Sequence, residues 1–316
     1  MSEQRHTTRV FVAGATGMVG SAIIRRLQRA DGYEILYGPV PRVDLRNQQE
    51  ASDLIQALEP DWVFLAAARV GGIYANNTFP AQFIYDNLAI ETTVMHAAYR
   101  NGVKKLLFLG SACIYPRLAP QPIKEEYLLT GYLEPTNEPY AIAKIAGLIM
   151  ARSYNREYGT NFISVMPTNL YGPNDNFDLL NSHVPAALMR KFHEAKQGHL
   201  DSVEVWGTGK PTREFLHVDD LADACLFLME RYNSNETINI GTGQEISIGD
   251  LALMIKEIVG FQGKLRFNTD APDGMPRRVL DVSRLTALGW RPSYSLRKGL
   301  SATYQWYVEN EDRLRK

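Results

Sequence analysis

The stretch Arg9-Val-Phe-Val-Ala-Gly14-Ala-Thr-Gly17-Met-Val-Gly20 decides how this chain folds. Arg9 to Gly14 reads as a buried strand that runs straight into glycines at three-residue intervals. Met18 and Val19, with Ala22, Ile23 and Leu27, then begin an amphipathic helix. A strand, a tight glycine turn and a helix N-terminus together offer free backbone N–H groups and a positive dipole end to a pyrophosphate. The Gly-x-x-Gly-x-x-Gly spacing is weak by itself. Its place directly after a β-rich run favours dinucleotide binding over a mere turn.

Working outward, Tyr33 to Tyr37 supplies a second strand, and Asp61-Trp-Val-Phe-Leu-Ala-Ala67 a third that ends in small residues open to a cofactor. Val70 to Asn77 is too polar and glycine-rich for core. Residues 79 to 101 read as a helix with Ile84, Leu88, Val94 and Met95 broadly on one side, and Lys105 to Gly110 as the next strand. Phe162 to Pro167 and Glu236 to Gly241 add two more. Strands alternating with helices predict a doubly wound parallel sheet, a Rossmann-type α/β fold. An NAD site usually carries an acid at the end of the second strand, to hold the ribose diol. Gly38-Pro-Val-Pro-Arg42 stands there instead, which favours the 2′-phosphate of NADP, with Arg42 the candidate and a solvated loop charge the competing reading. Asp44-Leu45 is better placed to touch the adenine.

Beyond the 105–110 strand come Ser111, Cys113 and, further on, Tyr140-Ala-Ile-Ala-Lys144. Asn137 or Thr136 can cap a helix here, Pro139 suits its first turn, Ile142, Ile145 and Ile149 recur at helical spacing, and Gly159 ends it. Tyr140 and Lys144 therefore project from one face. An ammonium beside a phenol favours the phenolate, making the tyrosine a better proton donor or acceptor near neutral pH, and Ser111 could bind a substrate oxygen beside it. A Tyr-x-x-x-Lys pair is common on surface helices. The strand-Gly-Ser upstream and the nucleotide-type loop make the catalytic reading the stronger one. This arrangement is similar to that of the extended short-chain dehydrogenase/reductase superfamily.

The 316 residues are 45% hydrophobic and 22% charged, enough for one large or two modest domains with a substantial core. A net charge of −1 gives no global field for nucleic acid or an anionic membrane. Two cysteines argue against a disulfide framework, the polar N-terminus lacks the apolar core of a signal peptide, and no apolar run approaches a membrane span. A cytoplasmic protein with no bound metal is expected. Residues 168 to 215 mix aromatics, amides and bases, among them Asn169, His183, Lys191, Trp206 and Arg213, which suits a nucleotide sugar: an aromatic near the base, arginines forked onto phosphates. The expected division is a cofactor domain of residues 1–168 plus about 214–243, and a smaller C-terminal α/β substrate lobe of about 169–213 plus 244–316.

Longer stretches narrow the resemblance. Ala66-Ala-Ala-Arg-Val-Gly-Gly-Ile, Gly110-Ser-Ala-Cys-Ile-Tyr-Pro116, Glu134-Pro-Thr-Asn-Glu-Pro-Tyr-Ala-Ile-Ala-Lys144, Met166-Pro-Thr-Asn-Leu-Tyr-Gly-Pro-Asn-Asp-Asn-Phe177, Asn181-Ser-His183 and Arg213-Glu-Phe-Leu-His-Val-Asp-Asp220 occur in the order of the GDP-L-fucose synthase family. The chain resembles that family over nearly its full length. The resemblance implies NADPH-dependent inversion of GDP-4-keto-6-deoxy-D-mannose at C3″ and C5″, then reduction at C4″. It puts Ser111, Tyr140 and Lys144 at the ketone and nicotinamide ribose and matches Cys113 and His183 to the epimerisation pair, for which we expect Cys113 as base and His183 as acid. It implies cofactor contacts at Gly14, Thr16, Gly17, Met18, Val19, Arg42, Asp44, Leu45, Ala67, Tyr140, Lys144, Pro167, Asn169, Leu170 and His183. Substrate contacts are implied at Asn169, Lys191, Trp206, Arg213, Asp273 and Arg277, and a homodimer through helices 79–101 and 139–157. Thr16 stands where many members carry Arg, and the loop from Gly38 to Val43 lacks the familiar arginine-acid pattern. A colitose-type epimerase-reductase is the alternative. A dehydratase would need an acidic pair in place of Ala112-Cys113, and an NADP-sensing regulator usually loses its Tyr or Lys.

Overall fold

The structure, a computed structural model, describes residues 7–38, 43–179, 182–270, 273 and 275–314. β1 (Thr8–Ala13) leads to α1 (Met18–Gln28), β2 (Tyr33–Leu36), α2 (Gln48–Leu58), β3 (Trp62–Leu65), a short α3 (Ile73–Thr78), α4 (Pro80–Arg100) and β4 (Lys105–Leu109). After an excursion over 110–137 come α5 (Glu138–Tyr158), β5 (Phe162–Pro167), β6 (Asn169–Tyr171), α6 (Val184–Gln197), β7 (Ser202–Trp206), β8 (Thr212–Arg213), β9 (Phe215–His217), α7 (Val218–Arg231) and β10 (Ile238–Ile240). β11 (Ile246–Ser247), α8 (Ile248–Val259), β12 (Lys264–Asn268), β13 (Arg277–Arg278), α9 (Ser283–Ala287) and α10 (Leu296–Glu309) complete it.

Six strands form one parallel sheet in the order β10-β5-β4-β3-β1-β2. β4 is buried at every residue, and Val10, Val63, Leu107 and Ile163 are fully enclosed. Parallel strands covered on both faces read as unbroken apolar runs, and these do. Helices α2, α4 and α5 pack one face through Ile55, Val94 and Leu148. α1 and α7 cover the other through Ile23, Leu27, Leu221 and Cys225. Cys225 is a small buried hydrophobe there. A separate apolar cluster joins α6, α8 and α10 to β7 through Met189, Phe192, Val205, Ile255 and Leu300.

Three local expectations are corrected. On α4 the buried stripe runs through Phe83, Asp86, Asn87, Glu91 and Val94, whereas Ile84 and Leu88 are half-buried. On α5 Ile145 is buried but Ile142 and Ile149 are each 41% exposed. The 70–77 stretch, expected to stay out of the core, enters α3 with Ala75 and Asn76 buried, and the Asn76 amide donates to the Gly71 and Gly72 carbonyls.

Candidate active site

The chain reverses its winding direction between β1 and β3, and the crevice at such a switch point is where open α/β sheets take ligands. Gly14 has φ +87°, and a Cβ there would lie 2.7 Å from the backbone nitrogen of Ala67. Only glycine lets the loop after β1 lie against the end of β3. Gly17 N–H closes the turn onto the Gly14 carbonyl at 3.0 Å and caps α1, leaving first-turn N–H groups facing the crevice. Met18 and Val19 are half-buried at the head of that helix, and Thr16 is exposed on the turn. The cradle therefore fits a dinucleotide pyrophosphate. Arg42 lies outside the described residues. Asp44 is exposed and its carboxylate is paired with Arg46 at 2.8 Å, which holds it below the usual carboxylate range. Arg46 in turn reaches Asp86 on α4 at 2.9 Å, and the Leu45 carbonyl accepts from Thr93 on the same helix, so this loop is tied to the helix layer.

At the end of β4, Ser111 caps a short turn by accepting the Cys113 N–H at 3.2 Å. Cys113 Sγ takes an amide hydrogen of Asn137 at 3.4 Å. Asn137 occupies the N-cap position of α5, yet its side chain makes no cap bond because it is turned to the thiol. From the first turns of α5, Tyr140 and Lys144 share a face as expected, with Lys144 Nζ 5.9 Å from the Tyr140 ring centre. The electrostatics differ from the expectation. Burial, Cys113 and Glu91 push the Tyr140 phenol well up, against a smaller downward pull from a Ser111 hydrogen bond. The Lys144 ammonium is buried in an ion pair with Glu91 at 3.0 Å and donates to the Leu109 carbonyl at 2.9 Å.

His183 is half-buried at the N-cap of α6, with burial holding its imidazole below the usual value. No hydrogen bond joins it to Cys113 among the described residues. Pro167 ends β5. Asn169 donates to the Glu214 carbonyl at 2.9 Å, and Leu170 is half-buried beside it. Lys191 and Trp206 come together, the ammonium 5.1 Å from the indole centre, with the indole 56% exposed. Asp273 holds the 207–208 turn by accepting from the Thr208 N–H at 2.8 Å and hydroxyl at 2.6 Å. Arg277 pairs outward with Glu245 at 2.9 Å.

The adjacent residue was missed by sequence reading. Arg278 is half-buried, donates to the Ala112 carbonyl at 2.6 Å, and its Nε is enclosed with no hydrogen-bond partner. It faces Arg213, whose charged form is disfavoured first by burial and then by the like charge of Arg278. Two neighbouring guanidiniums, the Arg278 one bound to the carbonyl just before Cys113, have the chemistry to take an anion. Parallel pairing of β13 with β8 sets them together, in the register Arg278 to Arg213, and no local pattern announces a pair of two-residue strands.

Residues 10–241 match the model of the NAD dependent epimerase/dehydratase family. The chain is 57% identical over 304 residues to GDP-L-fucose synthase 1 of Arabidopsis thaliana, covering 96% of this chain and 94% of that one. It is 52% identical to the GDP-L-fucose synthase of Escherichia coli K12 over the full length of both. Among solved structures it superposes with TM-score 0.92 on a GDP-L-fucose synthetase from Naegleria fowleri bound to NADP, at 32% identity, covering 98% of this chain and 96% of that one. With a glycine cradle at the switch point and a Ser–Tyr–Lys group at the end of β4, the chain belongs to the NAD dependent epimerase/dehydratase family, in its GDP-L-fucose synthase branch.

Proposed function

We propose that this chain converts GDP-4-keto-6-deoxy-D-mannose to GDP-L-fucose by 3,5-epimerisation and NADPH-dependent 4-reduction. The observation that carries the reading is a thiol set beside a reductase-type hydroxyl group: Cys113 N–H on Ser111, and Ser111 on Tyr140. Proton transfer at carbon and reduction at the neighbouring ketone can then share one pocket. NADPH, when bound, supplies the hydride that reaches C4″. Its cradle is Gly14, Thr16, Gly17, Met18 and Val19, with Asp44, Leu45, Ala67, Pro167, Asn169 and Leu170 along the strand ends.

C3″ and C5″ are acidic because both are α to the ketone. Cys113 as thiolate removes the proton from one face, and His183 as imidazolium returns one to the other. Ser111 and Tyr140 hydrogen-bond the C4″ oxygen and stabilise the enolate between those steps. At reduction Tyr140 gives its phenolic proton to the same oxygen, and Lys144 orients the nicotinamide ribose. Arg213 and Arg278 clamp the diphosphate, while Asn169, Lys191, Trp206 and the 273–277 segment hold the remaining GDP-sugar contacts.

A homodimer through the outer faces of α4 and α5 accounts for Tyr85, Ile142 and Ile149 being left exposed there. Two free cysteines suit the reducing cytoplasm. No helix among the described residues is long and apolar enough to cross a membrane. The test is NADPH oxidation with GDP-4-keto-6-deoxy-D-mannose and NMR of the product. GDP-L-fucose supports every step. An unepimerised reduced sugar removes Cys113 and His183 from the mechanism, and absence of oxidation overturns the assignment.

A further inference from the structure

Glu91 stands in the middle of α4, 1% exposed, on a buried stripe that it shares with Phe83, Asp86, Asn87 and Val94. Its carboxylate lies 3.0 Å from Lys144 Nζ, whose residue is 2% exposed. The same ammonium donates to the Leu109 carbonyl at 2.9 Å and sits 4.9 Å from the Phe108 ring centre. Helix α5 is shaped around this acid. A Cβ at Gly147 would stand 2.6 Å from Glu91 Oε2 and 2.5 Å from Phe108 Cζ, so glycine there makes the room. Burial raises the Glu91 carboxyl, and Lys144 draws it part of the way back by its charge and a hydrogen bond.

We propose that Glu91 is a positioning residue for the reaction: it fixes Lys144 against the end of β4 and cancels its charge, so that Tyr140 enters catalysis as a protonated acid. The proposal rests on the reading of Tyr140 as the proton donor and deepens it. A lone ammonium beside the phenol would draw out its proton, which suits oxidation of an alcohol. Reduction of a ketone needs the phenol loaded. The groups that face Tyr140 are Glu91 from α4, Ser111 and Cys113 from the turn after β4, and Lys144 from its own helix. Of these, Glu91 and Cys113 oppose ionisation by their charge and Ser111 favours it. The ion pair leaves Lys144 little net charge to contribute.

The test uses Glu91→Gln, which keeps the shape and removes the charge. The readout is the pH titration of Tyr140 in the cofactor-free protein, followed by the carbon-13 shift of the ring carbon bearing oxygen and assigned against Tyr140→Phe. The expected result is a midpoint lowered by on the order of one pH unit or more. The alkaline limb of NADPH-linked kcat should move down with it, because activity is lost as pH rises through the phenol's midpoint. In the double variant Glu91→Gln/Lys144→Met both charges are gone, and the midpoint should climb back above that of Glu91→Gln. An acid that merely fills space would change thermal stability and leave the titration where it was. An unmoved midpoint in Glu91→Gln overturns the proposal. Should that variant fail to fold, Lys144→Met against wild type decides it: removing a cation whose charge is already cancelled should leave the Tyr140 midpoint nearly in place, and a rise on the order of one pH unit or more overturns the proposal. Turnover by Tyr140→Phe would instead sink the proton-donor reading, and leaves the titration result to stand separately.

Discussion

Replacing Asp175 by Asn is expected to make the protein more stable, and increasingly so as pH rises. Asp175 lies in the turn between β6 and α6 and is 7% exposed. One carboxylate oxygen accepts the Asn176 N–H at 2.7 Å, and the other is enclosed without a partner. Burial pushes the carboxyl up from 3.8 to about 7, against a smaller pull from that single hydrogen bond. The folded state thus holds a proton that the unfolded chain has already released across this range. Stability therefore falls as pH rises from about 4 to about 7, by about 4 kcal/mol at most. Asn is neutral, nearly isosteric, and can offer its carbonyl to the same N–H. The variant should exceed wild type by about 1–2 kcal/mol at pH 5 and about 3–4 kcal/mol at pH 8. Guanidinium unfolding of both proteins at the two pH values measures the difference. A gain that is absent at pH 8, or the same at both, refutes the argument and points to a water or cation pairing the carboxylate.

Four further outcomes are expected. Cys113→Ser should lose solvent deuterium exchange at C3″ and C5″ while binding NADPH normally, and undiminished exchange would remove the thiol from the mechanism. Tyr140→Phe should lower the rate of reduction about 10²- to 10⁴-fold with cofactor affinity retained, as measured by single-turnover NADPH oxidation. Arg278→Gln should raise KM for the GDP-sugar by about 10- to 100-fold and leave the Kd for NADPH nearly alone; an unchanged KM places Arg278 outside the anion site. Lys105, buried at the start of β4, donates to the Met229 carbonyl at 2.7 Å and Asn233 Oδ1 at 2.8 Å at the end of α7. Lys105→Met should cost about 2–3 kcal/mol in denaturant unfolding, and a loss below about 0.5 kcal/mol would deny it that capping role.

The sheet was legible because its strands are covered on both faces, so 106–109 and 162–166 stand out as continuous apolar runs. The turn at Gly14 was legible because glycine alone tolerates both the φ and the approach to Ala67. What escaped was polar and nonlocal. The face of α4 is read wrongly by counting apolar residues, since Asp86, Asn87 and Glu91 are buried by partners on the β2–α2 loop, the β3 end and α5. Tyr140 and Lys144 were placed correctly by their spacing. The upward push on the Tyr140 phenol was not legible, because it comes first from burial and then from Cys113 and Glu91, which lie on other elements. The pairs β6 with β9 and β8 with β13 join short strands remote in sequence, and no periodicity marks them.

The seating of β10 on β5 also orders the birth of the molecule. During synthesis the first five sheet strands leave the ribosome in sequence. The outer edge of β5, apolar and fully buried in the finished protein, must then wait while β6, α6, β7, β8, β9 and α7 are made. Through that interval it is an open template for pairing with another chain. A fragment that stops before Ile238 should therefore aggregate rather than persist as a cofactor-binding remnant, and low-temperature or chaperone-assisted expression should help the whole chain most during this wait.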